Sequence, residues 1–363
     1  MQTTDCLRKQ YIQEEFFTTE YTEFHGGKDD FRIKTPWYSV TSVVNSYFLD
    51  SSRFCCFRSV ARTLIVCLLL IFLSCRSLSP VDGRAERVVF AVSPETVLPQ
   101  WRPVPVPGGG ADGVDYYTGK VSHPRMEYNA LRIDLSSPNL RILAAGGGGT
   151  VGGSENGKSL STKVSSFVRD NGLVAGINAL PFDPVSDREG EPRTNVGIVI
   201  ADGVMISPPH PRFDALFFYA DGKAVIAAQS AISAKNTDNA IANAVGGFYR
   251  VLEAGELVPR VMNITARHPR SAAGISPDGR FLYLLVIDGR RLDSIGSTEA
   301  ETALLLRALG ASEGINFDGG GSSALALRYP DGTVRVVNTP VHDNVSGRER
   351  AVAGCLGVGL VKK

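Results

Sequence analysis

The chain has 363 residues, a formal net charge of +1 and 43% hydrophobic residues. This length suffices for one large or two small domains with a buried core. The balanced charge offers no case for the basic face that nucleic-acid binding requires, so we expect no nucleic-acid partner. The 38 glycines, with only 8% aromatic residues, favour a β-rich fold with many tight turns over a helical bundle.

The first 57 residues mix polar and aromatic side chains without a clear period. We interpret residues 1–57 as a leader outside the native protein, read from a start codon assigned too far upstream. Residues 58–75 begin with two arginines, continue with an apolar run of about a dozen residues and end at Cys75. A membrane-spanning helix needs about 20 apolar residues and a signal peptide about 7–15, so this segment predicts export.

The end of that run, Phe72-Leu-Ser-Cys75, resembles a relaxed bacterial lipobox. The small residue before Cys75 suits cleavage there, after which the cysteine sulfur would carry a lipid and anchor the protein to a membrane. Phe72 departs from the smaller aliphatic residue usual at its position, and the alternative is cleavage nearby without lipidation. Five of the six cysteines precede residue 80, and the sixth, Cys355, is expected as a buried thiol among small apolar residues.

Residues 76–115 are rich in proline and glycine and are predicted to form a tether. From 116 to 363 the pattern is that of one folded domain, in which Asp-Gly pairs separate apolar runs. Such pairs are the strongest short signal for β-hairpins, because a two-residue turn needs positive φ at both positions. The pairs are Asp202-Gly203, Asp221-Gly222, Asp278-Gly279 and Asp331-Gly332.

Two helices are predicted, at 160–170 and at 299–309. The first ends at Asn171-Gly172, a favourable C-cap. The second begins after Thr298 with Glu301 three residues on, a capping-box pattern, and ends at Gly310. The fold class is therefore α+β, with mixed, largely antiparallel β-sheets built from Asp-Gly hairpins and helices packed on them.

The most informative segment for function is 314–324, Gly-Ile-Asn-Phe-Asp-Gly-Gly-Gly-Ser-Ser-Ala. Three consecutive glycines remove every Cβ, so a ligand can approach the backbone amides closely. The two serine hydroxyls add hydrogen-bonding groups suited to phosphate or sugar oxygens. On the residues alone, a ligand loop and a plain flexible turn both remain open, and Asp318 before the glycines favours the ligand loop.

The segment 316–323 resembles the hallmark of the phosphodiester glycosidases, relatives of the lysosomal enzyme that uncovers mannose 6-phosphate. Further blocks resemble the same family in order and spacing, at 268–279, 284–290, 294–309, 337–340 and 348–350. One block departs from it. The family's early strand usually ends in Asn-Gly-Gly-Phe-Phe, whereas this chain has Asn178-Ala-Leu-Pro-Phe182, so that wall of the site is expected to differ.

The resemblance implies hydrolysis of a sugar-1-phosphodiester at its glycosidic bond, in envelope or extracellular glycans such as exopolysaccharide. Glycosidic cleavage normally uses two carboxyl groups, and arginine can bind two phosphate oxygens at once. Asp318 is the leading carboxylate, as base or nucleophile, and Asp288 and Glu301 compete for the second role. The predicted substrate-binding and phosphate-binding residues are Arg270, Arg348, Arg350, Gly320, Gly321, Ser322, Ser323, Asn316 and Asn178.

Structural roles remain open beside these assignments: a turn cap for Asp288, a capping box for Glu301 and a solvated ion-pair cluster around Glu349 for Arg348 and Arg350. His268 and His342 are expected at the surface. No cofactor is required, although a divalent cation between Asp288 and Asp318 is compatible with the sequence. The alternative function is a non-catalytic surface lipoprotein that binds glycans or phosphosugars through the same cleft.

Overall fold

The computed structural model describes residues 100–106, 109–146, 157–231 and 241–361, all within the compact unit Glu86–Lys363. The leader, the signal peptide and Cys75 lie outside the described residues. In the described part, no helix is long and apolar enough to cross a membrane.

The described chain is dominated by strands. In chain order they are β1 Arg102–Val106, β2 Gly109–Val121, β3 Met126–Asp134, β4 Leu140–Gly146, β5 Lys158–Leu160, β6 Ala175–Asn178, β7 Phe182–Asp183, β8 Pro192–Asn195, β9 Val199–Ala201, β10 Val204–Ser207, β11 Asp214–Tyr219 and β12 Ala224–Ala228. They continue as β13 Ile241–Gly246, β14 Tyr249–Glu253, β15 Glu256–Leu257, β16 Arg270–Ile275, β17 Phe281–Ile287, β18 Glu313–Asn316, β19 Leu325–Arg328, β20 Val334–Val336, β21 Val341–His342, β22 Val345–Ser346 and β23 Gly354–Leu360. The two α-helices of the described ranges are α1 Val164–Asp170 and α2 Glu299–Leu309.

Three larger sheets form the framework. An eight-stranded sheet has the order β1-β2-β3-β17-β16-β18-β14-β15, and two five-stranded sheets have the orders β10-β9-β13-β11-β12 and β20-β19-β6-β23-β4. Every strand pairing within the described residues is antiparallel. The mixed, largely antiparallel class predicted from the sequence is therefore present, with strands far outweighing helices.

Each Asp-Gly pair lies between two strands that pair with each other. Asp202-Gly203 is the two-residue turn that the sequence suggests, with φ of +48° and +79°. At the other three connections the glycine has positive φ and the aspartate does not. Those turns are longer, and their aspartates accept hydrogen bonds from backbone N–H groups two residues on, as in Lys223 N–H to Asp221 at 3.0 Å.

The helices pack on two different sheets. Helix α2 covers one face of the eight-stranded sheet, where Leu305 and Leu306 are fully buried. Its capping box is present: Thr298 Oγ1 accepts the Glu301 N–H at 3.2 Å, and Glu301 Oε2 accepts the Thr298 N–H at 3.0 Å. Gly310 ends the helix with φ of +116°. This element matches its prediction because both of its ends are encoded locally.

Helix α1 is shorter than predicted, because residues 158–160 form strand β5 and pair with β8. Lys163 at its N-cap offers no side-chain cap. The cap comes instead from Glu349, whose carboxylate accepts the Ser165 N–H at 2.9 Å and the Ser165 hydroxyl at 2.6 Å. Ser165 is remote from Glu349 in sequence, which is why local sequence pattern misplaced the start of the helix.

The predicted tether is wrong over its second half, since β1 and the first part of β2 lie within 102–115. Val104 and Val114 are fully buried in the central core. Strand β1 is at the edge of its sheet, a position that tolerates prolines such as Pro103 and Pro105. A proline-rich composition therefore disguised a strand as a linker.

Candidate active site

Asp318 lies just beyond the end of β18, in the middle of the folded domain. The strand is held by Ile315 and Phe317, both fully buried in the central core. The Asp318 N–H donates to the Ala179 carbonyl at 2.8 Å. A 3₁₀ turn, Gly320–Ser322, follows directly. The carboxylate is thus carried on a short segment fixed on both sides by buried residues.

Asn178, at the end of β6, is a clamp for this segment. Its Nδ2 donates to the Asp318 carbonyl at 2.6 Å, and its Oδ1 accepts from the Ser271 hydroxyl at 2.6 Å and the Ala324 N–H at 3.1 Å. The residue is only 1% exposed. The side chain predicted to hydrogen-bond sugar therefore joins β6, β16 and the strand that bears Asp318.

Each of the three loop glycines is needed for a different reason. A Cβ on Gly319 would lie 2.7 Å from the Pro269 carbonyl oxygen. Gly320 has φ of +62°, which is favourable only for glycine. A Cβ on Gly321 would lie 2.5 Å from the Nη2 atom of Arg350. The glycines therefore allow the Pro269 backbone and the Arg350 guanidinium to approach the loop closely. The loop has a specific packed conformation and is not a plain flexible turn.

Two arginine side chains lie against the loop. The Arg350 guanidinium lies over Gly321 and donates to Ser322 Oγ at 3.2 Å. The Arg290 guanidinium approaches Gly320, with Nη2 at 3.1 Å from the position of an added Cβ. Within the described residues neither arginine forms an ion pair with a carboxylate. Two cations without a paired carboxylate beside a glycine loop are suited to an anionic ligand.

Sequence reasoning did not assign Arg290 to the site. The signal that would have found it is its position directly after Asp288-Gly289 at the end of β17, where it adopts φ of +60°. A non-glycine residue in this region is uncommon and is often found at functional positions.

More of the backbone N–H groups in the loop donate hydrogen bonds within the protein than the sequence analysis predicted. The Gly320 N–H donates to the Pro269 carbonyl at 2.8 Å, and the Gly319 N–H donates to Asp318 Oδ1 at 3.0 Å. The Gly321 N–H makes no hydrogen bond to another residue of the described ranges. Of the two amides assigned to an anion, only that of Gly321 is therefore available.

The environment of Asp318 favours its protonated form. Burial raises the pKa of the carboxyl, and the Ser322 hydroxyl, the Arg350 charge and the Gly319 N–H each lower the pKa in part. The result is a carboxylate more basic than an exposed one, held one side chain away from a guanidinium. A group of this kind suits proton abstraction or nucleophilic attack near an anion.

His342 is buried, contrary to the expectation of a surface residue, and is 2% exposed. Its Nδ1 accepts a hydrogen bond from Arg350 Nε at 3.2 Å. Burial, and secondarily the Arg350 charge, lower the pKa of its imidazole, so the ring is neutral at pH 7. His342 therefore holds the Arg350 guanidinium through Nε, while Nη1 of the same group contacts the loop at Ser322.

Both oxygens of the Asp288 carboxylate are bound by other residues of the protein, in a structural role. Its Oδ1 accepts from Asn338 Nδ2 and from the Thr339 N–H, both at 3.0 Å, and its Oδ2 pairs with Arg291 Nη1 at 2.9 Å. Asn338 Nδ2 also donates to the Ser323 carbonyl at 3.1 Å. Asp288 thus reaches the serine end of the loop only through Asn338. Burial raises the pKa of the Asp288 carboxyl, while these donors lower it in part.

Three further predicted side chains, those of Arg270, Glu301 and Arg348, have partners other than Asp318. Arg270 is buried beside Glu299, with Nη1 3.7 Å from Oε1. Glu301 pairs with Arg267 in addition to its capping role. Arg348 pairs with Asp187 and Asp343 at the surface. On β16, Arg270 shares the helix-facing side with Ala272, and its guanidinium lies beside Glu299 at the start of α2, whereas Ser271 faces the opposite side.

The described residues contain no group of three or more His, Cys, Asp or Glu side chains able to hold a metal ion. Both carboxylate oxygens of Asp288 already accept hydrogen bonds. A divalent cation between Asp288 and Asp318 would have to displace these donors from Asp288, and such a site stays a prediction from the sequence.

The altered segment 178–182 turns its new side chains into the core. Ala179 is fully buried and Leu180 is 1% exposed. Leu180 occupies space left by two glycines, since a Cβ on Gly354 would lie 2.8 Å from Leu180 Cβ and one on Gly246 would lie 3.0 Å from its Cδ1. The departure from the family pattern is therefore accommodated by packing between sheets.

Comparison with solved structures supports the fold. The catalytic domain of zebrafish N-acetylglucosamine-1-phosphodiester alpha-N-acetylglucosaminidase, in a form auto-inhibited by its pro-peptide, matches with a TM-score of 0.53 at 17% identity, over 73% of this chain and 89% of that one. A hypothetical protein from Synechocystis matches with a TM-score of 0.47 at 14% identity, over 69% and 63% of the two chains. No curated protein matches the sequence.

An acidic residue at a strand end lies beside a glycine loop and two arginines, and the family comparison supports a glycosidase-type function for the chain. The family model for phosphodiester glycosidases matches residues 171–359, just over half of the chain, and the protein belongs to that family.

Proposed function

We propose that the protein hydrolyses the glycosidic bond of a sugar-1-phosphodiester. Water adds to the anomeric carbon, the bond from that carbon to the phosphate oxygen breaks, and the products are a free sugar and a phosphomonoester. The observation that carries this proposal is the pair Arg290 and Arg350 over the glycine loop, next to the Asp318 carboxylate. Family membership supports the same reaction class.

In this mechanism the phosphate lies between the two guanidinium groups and accepts the Gly321 N–H. The charges neutralise the leaving phosphate, which is where negative charge develops as the bond breaks. A phosphate ester is a good leaving group, so a strong general acid is less needed than for an ordinary glycoside. Asp318 acts on the anomeric carbon, as nucleophile or as base toward water.

Asp288 and Glu301 are positioning residues in this proposal. Asp288 fixes Asn338 and, through it, the Ser323 carbonyl, while Glu301 fixes the start of α2 and Arg267. Asn178 likewise positions Asp318 and does not contact sugar. Arg270 and Arg348 serve ion pairs outside the phosphate site.

The test is turnover of chromogenic sugar-1-(4-nitrophenyl phosphate) diesters, with a phosphatase added to release nitrophenol from the product. Asp318→Asn is expected to lower kcat by about 10²–10⁴-fold. Arg290→Gln and Arg350→Gln are expected to raise KM and lower kcat/KM. Arg348→Gln is the matched control, because its guanidinium pairs with Asp187 at the surface, and it is expected to keep wild-type turnover.

Turnover should also persist in excess EDTA, since we propose that no metal cofactor is required. Loss of activity in EDTA, restored by a divalent cation, would contradict this part of the proposal. Binding of the diesters without any turnover by the wild-type protein would instead favour the non-catalytic glycan-binding lipoprotein.

We further propose that the protein is exported, is anchored through a lipid on Cys75 and acts on envelope or exopolysaccharide sugar phosphodiesters. The apolar run before Cys75 and the lipobox-like residues support this. Expression of the full chain in a bacterial host, followed by detergent phase separation, tests it. Wild type should enter the detergent phase and Cys75→Ser the aqueous phase, whereas an aqueous wild type would leave export without a lipid.

A further inference from the structure

A group of half-buried aromatic rings lies around the start of β14, the strand that borders β18. The rings of His210 and Phe213 stack at 3.9 Å with an interplanar angle of 21°. Phe213 makes edge contacts with Phe248 at 5.3 Å and with Tyr249 at 5.2 Å. We call these four rings the aromatic ledge. Arg260 covers one end, with its guanidinium carbon 3.3 Å from the Tyr249 ring centroid.

The loop that carries His210 is built to be rigid. It contains Pro208, Pro209 and Pro211, each of which fixes its own φ. The buried side chain of Gln229, 0% exposed, accepts the His210 N–H at 2.7 Å and donates to the Asp214 carbonyl at 2.9 Å. A ring held by a buried amide and three prolines is preorganised for binding.

The ledge lies on one side of Asp318 and Arg290 on the other. Strand β18 is bordered by β14 on one side and by β16, then β17, on the other. Phe248 donates its N–H to the Asn316 carbonyl at 2.9 Å, and Tyr249 is the Cα partner of Asn316. Arg290 follows the end of β17. In the order of the strands, the segment that carries Asp318 therefore has the aromatic ledge on its β14 side and Arg290 on its β17 side.

Asn316 adds a polar group beside the ledge, two residues before Asp318. It is 2% exposed, and its Oδ1 has no hydrogen-bond partner in the described part of the chain. A buried amide oxygen without a partner is rare in folded proteins. His210 provides a second polar group: its Nδ1 accepts the Arg212 N–H at 3.3 Å, which places the proton of the neutral ring on Nε2.

We propose that the aromatic ledge, with Asn316 and His210 Nε2–H, is the subsite for the saccharide ring of the substrate, opposite the arginine-lined phosphate side. This inference rests on the proposed function and deepens it. A pyranose presents a face of C–H groups that packs on aromatic rings, while its hydroxyls need a few placed polar partners. The ledge supplies the apolar surface, and the two polar groups orient the ring so that its anomeric carbon faces Asp318.

The experiment separates the two halves of the site with two kinds of inhibitor. Methyl glycosides of glucose, mannose and N-acetylglucosamine probe the sugar side, and inorganic phosphate probes the arginine side. Phe213→Ala and Tyr249→Ala should each weaken inhibition by the best glycoside at least tenfold and leave inhibition by phosphate unchanged. Arg290→Gln should do the reverse. Tyr329→Ala is the matched control, because Tyr329 is a half-buried tyrosine covered by Arg335, at 4.7 Å, on a different sheet.

A direct binding measurement keeps the inference independent of turnover. Saturation-transfer NMR of the same methyl glycosides should show contact with the wild-type protein and with Tyr329→Ala, and none with Phe213→Ala. Melting temperatures of all variants exclude loss of fold as the cause. If the wild-type protein binds a glycoside but hydrolyses no diester, the proposed function is contradicted, whereas the aromatic ledge as a saccharide subsite is supported. Unchanged glycoside binding by the ledge variants, or no binding of any glycoside to wild type, would overturn the ledge.

Discussion

Asp318 lies at the candidate catalytic site, and the burial of its carboxyl there lowers the folding stability of the protein at neutral pH. Burial raises the pKa of its carboxyl, so the folded state binds a proton more tightly than the unfolded state. The folded protein is therefore stabilised as pH falls through the raised pKa, and the ionised carboxylate is unfavourable at neutral pH. Functional residues commonly carry this kind of penalty.

It follows that Asp318→Asn should raise the melting temperature at pH 7 while it abolishes turnover. The gain should shrink as pH falls, because the wild-type carboxyl then becomes neutral as well. Thermal unfolding between pH 4 and 8 measures both effects, with Asp112→Asn, at an exposed position of β2, as the control. A melting temperature lowered at pH 7 and unaffected by acid would contradict the account.

His342 makes the position of Arg350 sensitive to pH. The neutral imidazole accepts the Arg350 Nε–H, and its folded pKa is lowered by burial and by Arg350. A base with a lowered pKa contributes stability above its unfolded pKa, near 6.5, and that contribution is lost as pH falls through the folded value. Protonation would replace a hydrogen bond with repulsion between two cations.

We therefore expect KM for a sugar-1-phosphodiester to rise as pH falls through the lowered pKa of His342. The phosphodiester itself does not titrate in this range. His342→Asn, which offers an amide oxygen that takes up no proton, should keep a KM independent of pH there, even if kcat still falls as Asp318 becomes protonated. A wild-type KM that stays constant down to pH 4.5 would rule out this role for His342.

The sequence alone did not distinguish the arginines that contact the glycine loop from those that pair with carboxylates elsewhere. Arg270 and Arg290 both lie in blocks that resemble the family, yet of these two only the Arg290 guanidinium approaches the glycine loop. The position of each guanidinium depends on partners such as Glu299, which is remote from Arg270 in sequence. Asn178 was likewise recognised as important but given the wrong contacts, since Ser271 and Ala324 are far from it in sequence.

Elements with local signals were predicted well. Helix α2 has its bounds and both caps where the capping box and Gly310 place them. Helix α1 was placed too early, because Glu349 supplies its N-terminal partner from the other end of the domain. Strand β1 was missed because edge strands tolerate the prolines that mark linkers elsewhere.

The capping box gives a prediction that separates structure from catalysis. Thr298→Ala should cost about 1 kcal/mol of folding stability, because one helix N–H loses its acceptor. Glu301→Gln retains an oxygen for the Thr298 N–H, so the helix should persist and kcat should stay within about threefold of wild type, since general acid–base roles are worth 10²-fold or more. Denaturant unfolding and turnover measure the two; a loss of 10²-fold in Glu301→Gln would restore it as a catalytic acid.

The glycine loop gives a second prediction at this scale. Gly321→Ala places a Cβ 2.5 Å from Arg350 Nη2, without a positive φ to strain the backbone. Arg350 must move, so we expect KM to rise about tenfold, a loss of about 1.4 kcal/mol of phosphate binding. Gly332→Ala is the control: φ there is +82° with no neighbour within 4 Å, so it should cost about 1 kcal/mol of stability and leave KM unchanged. Equal KM values for the two variants would show that Arg350 does not bind phosphate.

The residues in and around the candidate site come from all three larger sheets. Asn178 belongs to one five-stranded sheet, Asp318 follows a strand of the eight-stranded sheet, and Leu180 packs against Gly246 of the other five-stranded sheet. The central core is shared by all three. This arrangement explains why a changed segment near the site need not change the site, provided that its side chains point into the core.

Leu180 provides the test of that idea. Leu180→Gly brings position 180 closer to the family pattern, but it empties a site that is 1% exposed and lined by Gly246 and Gly354. The loss of a buried leucine side chain should cost about 2–5 kcal/mol of folding stability. Because the side chain does not face Asp318, kcat/KM should stay at the wild-type value at a temperature where the variant is folded.

Gly354→Ala should lower folding stability through its 2.8 Å contact with Leu180 Cβ, typically by about 1–3 kcal/mol. In the double variant the two changes should partly compensate, because Leu180→Gly removes the atom that Gly354→Ala meets. Denaturant unfolding of the four proteins gives this coupling, and a gain in kcat/KM in Leu180→Gly would show instead that the departure from the family pattern had weakened the active site.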